Sequence, residues 1–240
     1  MTPVLYIIAT PIGNKEDLSI RAVRVLNELK IIAAEDTRMT KKLLTLHNIQ
    51  TAKNIFSCND HNEIYAAKQI LQFLNNGESV GLCSDGGMPG ISDPGYKVIE
   101  TVMDAEFKVE VIPGACAVEV ALLTAGMSTS SYTFKGFPPR KQGKRIKWLQ
   151  QEINLPHTLV LYESPNRIHK LLADAYSVYG NRMAAVCMEL TKKFERVYKG
   201  PLAELKDWAE NHTQRGECVI VIAGDNEKFQ IEDDNDDDEK

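Results

Sequence analysis

Residues 80–95 read Val80-Gly81-Leu82-Cys83-Ser84-Asp85-Gly86-Gly87-Met88-Pro89-Gly90-Ile91-Ser92-Asp93-Pro94-Gly95. A short apolar run ends abruptly at Ser84-Asp85, and the residues beyond it are dense in glycine and proline. Neither a buried strand nor a helix interior tolerates that density. The stretch therefore reads as a strand, Val80 to Cys83, followed by a long shaped loop at its carboxyl end. In open α/β sheets ligands bind at that end of the strands. Glycine lets a ligand approach the backbone closely, and proline fixes the loop before anything binds. A strand-to-helix connection needs only about two to six residues, so this loop is longer than a simple turn requires.

Outward from the loop, apolar runs and amphipathic segments alternate. Val4 to Ala9 is continuously apolar, as a buried parallel strand should be. A turn over Thr10 to Asn14 follows. Leu18 to Lys30 then carries Ala22, Val23, Leu26 and Leu29 at helical spacing. Ile31 to Ala34 predicts a strand leading into Glu35-Asp36-Thr37-Arg38, and a helix bearing Leu43, Leu44 and Leu46 comes next. Asn54 to Ser57 reads as a strand and Glu63 to Leu74 as a helix stopped by Asn76-Gly77. Beyond the loop come a helix over 96–105, a strand from Lys108 to Ile112, and a helix opened by Pro113-Gly114 that ends near Gly126.

Such alternation predicts a mainly parallel α/β sheet. The segment Gly126 to Pro139, rich in Gly, Ser, Thr and Pro, is where a domain boundary is expected. The first domain then covers 1–126 and the second 127–224. The second should hold strands from Tyr132 to Phe137, Thr158 to Tyr162, Ala184 to Glu189 and Cys218 to Ala223. Helices are expected between them over 141–152, Arg167 to Val178 and Leu202 to Asn211. The fold class is α/β: two α/β domains with mainly parallel or mixed sheets.

The chain has 240 residues, 43% hydrophobic and 25% charged, ordinary values for a globular protein with a substantial core. No apolar run approaches the roughly 18 residues that span a bilayer. The first residues lack the basic region and long apolar core of a signal peptide. A cytoplasmic protein without membrane contact is expected. Five cysteines, Cys58, Cys83, Cys116, Cys187 and Cys218, form no CxxC pair and read as reduced thiols; no metal site is expected. The formal net charge is -5, but residues 231–240 hold seven acids and one base, leaving 27 basic against 26 acidic side chains elsewhere. Like-charge blocks of this kind are disordered, so 225–240 is read as a disordered acidic tail.

There is no GxGxxG after the first strand and no GxxxxGK[ST], which excludes the usual dinucleotide and P-loop nucleotide sites. The five histidines are scattered. What remains is a set of polar clusters at strand ends: Thr10 to Asn14, Glu35 to Arg38, Ser84 to Gly95, Pro113 to Ala117, Tyr162 to Arg167 and Glu189 to Lys192. Each has a local reading too. Glu35-Asp36-Thr37-Arg38 suits a helix N-cap with an ion pair, and Glu163 and Arg167 are spaced to pair on one helix turn. The segment Phe134 to Trp148 differs in kind. It gathers Lys135, Arg140, Lys141, Lys144, Arg145 and Lys147 with Phe134, Phe137 and Trp148. Basic groups with interleaved aromatics suit phosphates and unstacked bases, and equally a solvated helix face.

Together the motifs resemble one bacterial family. They are Ala9-Thr10-Pro11-Ile12-Gly13-Asn14, Asp17-Leu18-Ser19, Arg21-Ala22, Glu35-Asp36-Thr37-Arg38, Ser84 to Gly95 and Ile112-Pro113-Gly114. In the second half they continue with Gly136-Phe137-Pro138-Pro139, Tyr162-Glu163-Ser164-Pro165-Asn166-Arg167-Ile168, Glu189-Leu190-Thr191-Lys192 and Gly216-Glu217. The family is the small-subunit rRNA cytidine-2'-O-methyltransferases, of the tetrapyrrole (corrin/porphyrin) methylase fold. Gly86 and Met88 stand where the family commonly has alanine and threonine, and Ala115-Cys116-Ala117 where it has Pro-Ser-Ala. Some members carry a further C-terminal domain, in place of which this sequence shows only its acidic end.

The resemblance implies a homodimer of two-domain subunits with S-adenosylmethionine in the cleft between the domains. The reaction it implies is methyl transfer to the ribose 2'-hydroxyl of a cytidine in the decoding region of 16S rRNA, within the small ribosomal subunit. It implies cofactor contacts from Pro11, Asp85, Gly87, Met88, Ile91, Ala115, Ala117, Tyr162, Leu190 and Ile220. On the acceptor side it offers Glu35, Asp36, Arg38, Asp93, Arg167 and Lys192, with Glu35 or Asp36 taking the proton and Arg167 or Lys192 holding a phosphate. Arg38, Arg140, Lys141, Lys144 and Arg145 are the RNA-binding candidates. The alternatives are a methylase of a tetrapyrrole or other small molecule on the same fold, and a non-enzymatic rRNA-binding or assembly protein.

Overall fold

The structure is a computed structural model that describes residues 2–50, 53–212 and 215–226; the acidic segment 231–240 lies outside the described residues. The chain divides into two compact units, Met1–Cys116 and Ala117–Lys240.

In the first unit, strands β1 (Val4–Ile8), β2 (Ile31–Ala34), β3 (Asn54–Ser57), β4 (Val80–Cys83) and β5 (Lys108–Ile112) alternate with helices α1 (Ile20–Glu28), α2 (Thr37–Leu46), α3 (Glu63–Asn75) and α4 (Tyr96–Asp104). The sheet order is β3-β2-β4-β1-β5, and every pairing is parallel. Crossovers between parallel strands are right-handed. Connections running towards β3 therefore place α1 and α2 on one face, and those running towards β5 place α3 and α4 on the other. The core follows this division. Leu5, Ile7, Ala33, Val80 and Leu82 pack with Ala67, Ile70, Leu74, Val98 and Val102 on the α3–α4 face. Ile8, Ile32 and Cys83 pack with Ala22, Leu26, Leu29 and Leu44 on the α1–α2 face. Both faces are covered, which is why the inner strands β1, β2 and β4 are continuously apolar instead of alternating.

The second unit has strands β6 (Tyr132–Phe134), β7 (Thr158–Glu163), β8 (Met183–Met188), β9 (Arg196–Pro201) and β10 (Cys218–Ile222), with helices α5 (Ala117–Ala125), α6 (Gln142–Gln150), α7 (Ile168–Tyr179) and α8 (Leu202–Asn211). The order is β6-β7-β10-β8-β9; only β6 and β7 are parallel. Leu161, Val186, Met188 and Ile220 form one core with Leu149, Leu171, Leu172 and Leu205 from α6, α7 and α8. Helix α5 packs against β8, β9 and β10.

Two features differ from the sequence expectation. The structural division falls at Cys116–Ala117 instead of Gly126, because α5 packs on the second sheet. Strand β9 has no counterpart in the sequence reading: Arg196-Val-Tyr-Lys-Gly-Pro carries two cations, a glycine and a proline. It forms by pairing with β8 alone at the sheet edge, where charge and proline are tolerated. The cysteines are free thiols, and Cys83 is pushed up to about 12 by its burial.

Candidate active site

The chain leaving β2 turns towards β3, whereas the chain leaving the adjacent β4 turns towards β5. The gap between their carboxyl ends is the topological switch point of the first sheet, where open α/β sheets bind ligands. Glu35 follows β2 directly and Asp85 follows β4 by two residues. The two loops are laced together. The Glu35 N–H donates to the Cys83 carbonyl (3.1 Å), the Asp85 N–H donates to Glu35 Oε2 (3.1 Å), and the Asp36 N–H donates to Asp85 Oδ1 (3.1 Å).

These carboxyls are tuned apart. Glu35 is raised above the usual carboxylate value, first by burial and then by the charges of Asp85, Asp60 and Asp36. Asp85 is also raised, mainly by burial. Asp36 is lowered to about 2, because its side chain bonds the Arg38 guanidinium and the Arg38 N–H. It caps α2, so the local reading of Glu35-Asp36-Thr37-Arg38 as cap and ion pair is what forms. A raised carboxyl is the better proton acceptor near neutral pH, which separates Glu35 from Asp36.

The loop after β4 is stitched to the end of β1. Thr10 and Gly87 exchange both backbone hydrogen bonds (2.9 and 3.0 Å), and the Thr10 hydroxyl donates to the Ser84 carbonyl (3.1 Å). Gly87 makes this bridge at φ 86°, in the left-handed region. At the far end of the loop, one oxygen of Glu63 accepts from the N–H groups of Gly95 and Lys97, both at 2.8 Å. Glu63 thereby caps α4, which has no side chain of its own at that position. Beside the loop, a Cβ on Gly114 would lie 2.9 Å from the Ala9 side chain, so β1 and β5 end in tight contact.

Among the predicted cofactor residues, Pro11, Asp85, Gly87, Met88, Ile91 and Ala115 cluster at these strand ends of the first unit. Gly87 is buried, Met88, Pro11 and Ala115 are half-buried, and Asp85 and Ile91 are exposed. Asp93 lies half-buried in the same loop, and Arg38 is exposed at the start of α2.

Ala117, Tyr162, Leu190 and Ile220 belong to the second unit. Ala117 opens α5 half-buried, and Tyr162 is half-buried near the end of β7. Ile220 is a correction. It is fully buried in the core beneath α6, α7 and α8, and its side chain has no free surface for a ligand. Arg145 is a second correction. It is 3% exposed, donates from Nε to Asp174 Oδ2 (2.7 Å), and donates from Nη1 to the Pro139 and Arg140 carbonyls. It holds the loop before α6 and does not face solvent. Arg140, Lys141 and Lys144 remain exposed, with no ion pair among the described residues. Lys135 is also occupied, paired with Glu152 at 2.8 Å.

Two cation–carboxylate groups stand at strand ends of this unit. Arg167 donates from Nε to the buried Glu163 carboxylate (2.6 Å), which also accepts from the Ser164 N–H. Lys192 donates from Nζ to Glu189 Oε1 (3.0 Å) and Glu217 Oε2 (2.9 Å). Burial opposes charge on Lys192, but the two carboxylates prevail and its value is raised. It is a firmly charged ammonium and no base. Around Leu190, which is buried, Glu189 (φ 52°) and Thr191 (φ 63°) both adopt left-handed backbone that non-glycine residues rarely take. Thr191 Oγ1 is buried with no hydrogen-bond partner among the described residues. Such strain concentrates at functional sites. Glu189 Oε1 also accepts from the Glu217 N–H (2.7 Å).

Glu63, Glu189 and Glu217 carry these contacts without having been assigned a role from sequence; the motifs Glu189 to Lys192 and Gly216-Glu217 marked two of them, and nothing marked Glu63. No group of three metal-ligating side chains occurs among the described residues. No described helix is long and apolar enough to cross a membrane.

A doubly wound parallel sheet joined to a mixed sheet, with polar loops at the strand ends, is an architecture of methylases. Residues 4–206 match the family model described as Tetrapyrrole (Corrin/Porphyrin) Methylases, and the chain belongs to that family. It is 42% identical to the "Ribosomal RNA small subunit methyltransferase I" of Halalkalibacterium halodurans, over 95% of this chain and 78% of that one. The protein of the same name from Pseudomonas aeruginosa is also 42% identical, over 92% of this chain and 78% of that one. Among solved structures, the methyltransferase CobJ is similar with a TM-score of 0.71 at 14% identity, covering 94% of this chain and 95% of that one. A Thermus thermophilus uroporphyrin-III C-methyltransferase complexed with S-adenosyl homocysteine has a TM-score of 0.64 at 16% identity, covering 92% and 97%.

Proposed function

We propose that this chain transfers a methyl group from S-adenosylmethionine to small-subunit ribosomal RNA, at the ribose 2'-hydroxyl of a cytidine in the decoding region of 16S rRNA. The observation that carries this reading is 42% identity sustained over 95% of the chain with a ribosomal RNA small subunit methyltransferase. The family match over residues 4–206 includes all the strand-end clusters. The reading puts the enzyme in the cytoplasm, where its ribosomal substrate is, and makes it a homodimer.

The strand ends of the first unit fit S-adenosylmethionine. Gly86, Gly114 and Ala115 leave the backbone of the β4 and β5 loops uncovered by large side chains, and the nearby donors and acceptors are amides and carboxylates. Pro11, Asp85, Gly87, Met88, Ile91 and Ala115 would hold it. When bound, it supplies an electrophilic methyl group, so that alignment with the acceptor provides much of the acceleration. A ribose hydroxyl is a poor nucleophile and gains from a proton acceptor. Glu35, with its raised basicity, is that acceptor, while Asp36 caps α2. Arg167 and Lys192, both fixed cations, hold RNA phosphates.

The test is methyl transfer from labelled S-adenosylmethionine to small ribosomal subunits, with the product mapped by nucleotide and by base versus ribose. Label on a cytidine ribose is expected. Label on a base overturns the 2'-hydroxyl assignment. Saturable cofactor binding without transfer to subunits or free rRNA points to a small-molecule methylase. No cofactor affinity at all leaves only an RNA-binding role.

A further inference from the structure

Phe137 is 55% exposed, yet its position is fixed from both sides. Its ring meets the Tyr162 ring edge-on, with centroids 5.6 Å apart, and Phe134 meets the same tyrosine at 4.8 Å. Before it, Gly136 turns at φ 62° and its carbonyl accepts the Tyr162 N–H at 3.0 Å. After it come Pro138, which is buried, and Pro139, whose carbonyl is bound by the buried Arg145 guanidinium. A large apolar side chain has thus been anchored at the surface by a three-ring ladder, a left-handed glycine, two prolines and a buried ion pair. Phe137 is not part of the core beneath α6, α7 and α8, and more than half of it stays exposed after these contacts.

The charge beside it is one-sided. Arg140, Lys141 and Lys144 follow within seven residues, all exposed and none in an ion pair among the described residues. The first turn of α6 contains no acid. An aromatic face next to unneutralised cations is what binds single-stranded nucleic acid: the ring stacks on a base and the cations track the backbone. Three residues of chain reach at most ~10 Å, about the separation of neighbouring phosphates and bases along a strand.

We propose that Phe137 is the platform on which an unpaired base of the RNA substrate stacks, with Arg140, Lys141 and Lys144 on the phosphates beside it. This rests on the RNA reading above and narrows it. The segment bound is single-stranded or splayed out, because a base inside a duplex offers no free face. Tyr162, which supports Phe137, ties the platform to the β7 end where Glu163 holds Arg167.

The experiment measures affinity of the full-length protein for a labelled single-stranded RNA and for the same sequence as a duplex, over a range of salt concentrations. Phe137→Ala is expected to weaken single-strand binding about tenfold or more, leaving duplex binding and the salt slope unchanged. Phe137→Leu should fall with alanine, since it keeps apolar bulk but has no π face, and Phe137→Trp should bind as well as the parent. Lys144→Gln should instead flatten the salt slope by about one unit. S-adenosylmethionine affinity, measured on every variant, checks that the fold is intact. Single-strand affinity indifferent to Phe137→Ala, or Phe137→Leu binding like the parent, overturns the platform. A parent that binds no single-stranded RNA overturns it too. Methyl transfer to small ribosomal subunits on the same preparations reports the function reading separately: transfer that persists while the platform fails overturns this inference alone.

Discussion

At the scale of single residues, the site is a set of carboxylates held in unlike states by their surroundings. Glu35 is raised by burial and by neighbouring acids. A raised carboxyl binds its proton more tightly folded than unfolded, so ionising it costs stability as pH rises through and above 4.5. Glu35→Gln should therefore melt above the parent at pH 7, and the difference should vanish well below pH 4.5, where both side chains are neutral. The same variant should lose most methyl transfer with cofactor affinity retained; full activity would remove Glu35 as the proton acceptor. Gly216 makes a different demand. It sits at φ 95°, and a Cβ there would lie 2.3 Å from Glu189 Oε1. Gly216→Ala should cost about 1–3 kcal/mol by urea denaturation and displace the carboxylate that holds Lys192. Adding Glu189→Ala should recover the steric part of that loss. These roles were only half legible in the sequence. Glu35 and Lys192 are visible as polar residues after apolar runs. That Asp36 is a cap while Glu35 is not depends on which side chain its helix turns inward, and linear order does not contain that.

At the scale of elements, the basic segment shows where reading a line of charges fails. Six cations in sequence look alike, but α6 turns Arg145 inward to an aspartate on α7, 29 residues later in the chain. Breaking a buried pair leaves an uncompensated charge, so Arg145→Ala should cost about 3–5 kcal/mol, whereas Arg145→Met with Asp174→Leu should be near neutral. A double-mutant cycle on urea midpoints measures both; additive losses would show that the pair is not coupled. Strands β1, β2, β4 and β10 were legible because each is buried on both faces and so is a plain apolar run. Strand β9 was not, because an edge strand with one partner needs no such run. The depth of Ile220 was likewise hidden: in Cys218-Val-Ile-Val-Ile every residue is apolar, and only the pairing with Leu161 and Val186 shows which face each residue takes.

At the scale of the whole molecule, a ligand that binds only the folded chain must stabilise it. S-adenosylmethionine at about 100 times its dissociation constant should add ~2.7 kcal/mol, seen as a higher unfolding midpoint by calorimetry; an unmoved midpoint at saturating concentration would sink the cofactor assignment. The order of the first sheet has a consequence for how the protein is made. Among the described residues β1 pairs only with β4 and β5, Leu5 against Val80 and Val4 against Lys108. At about 5–20 residues per second, β1 waits roughly 5 to 20 seconds for both partners to be synthesised. Throughout that interval Val-Leu-Tyr-Ile-Ile is a sticky ribbon with no sheet to join, an exposure that non-local parallel pairing imposes on the nascent chain.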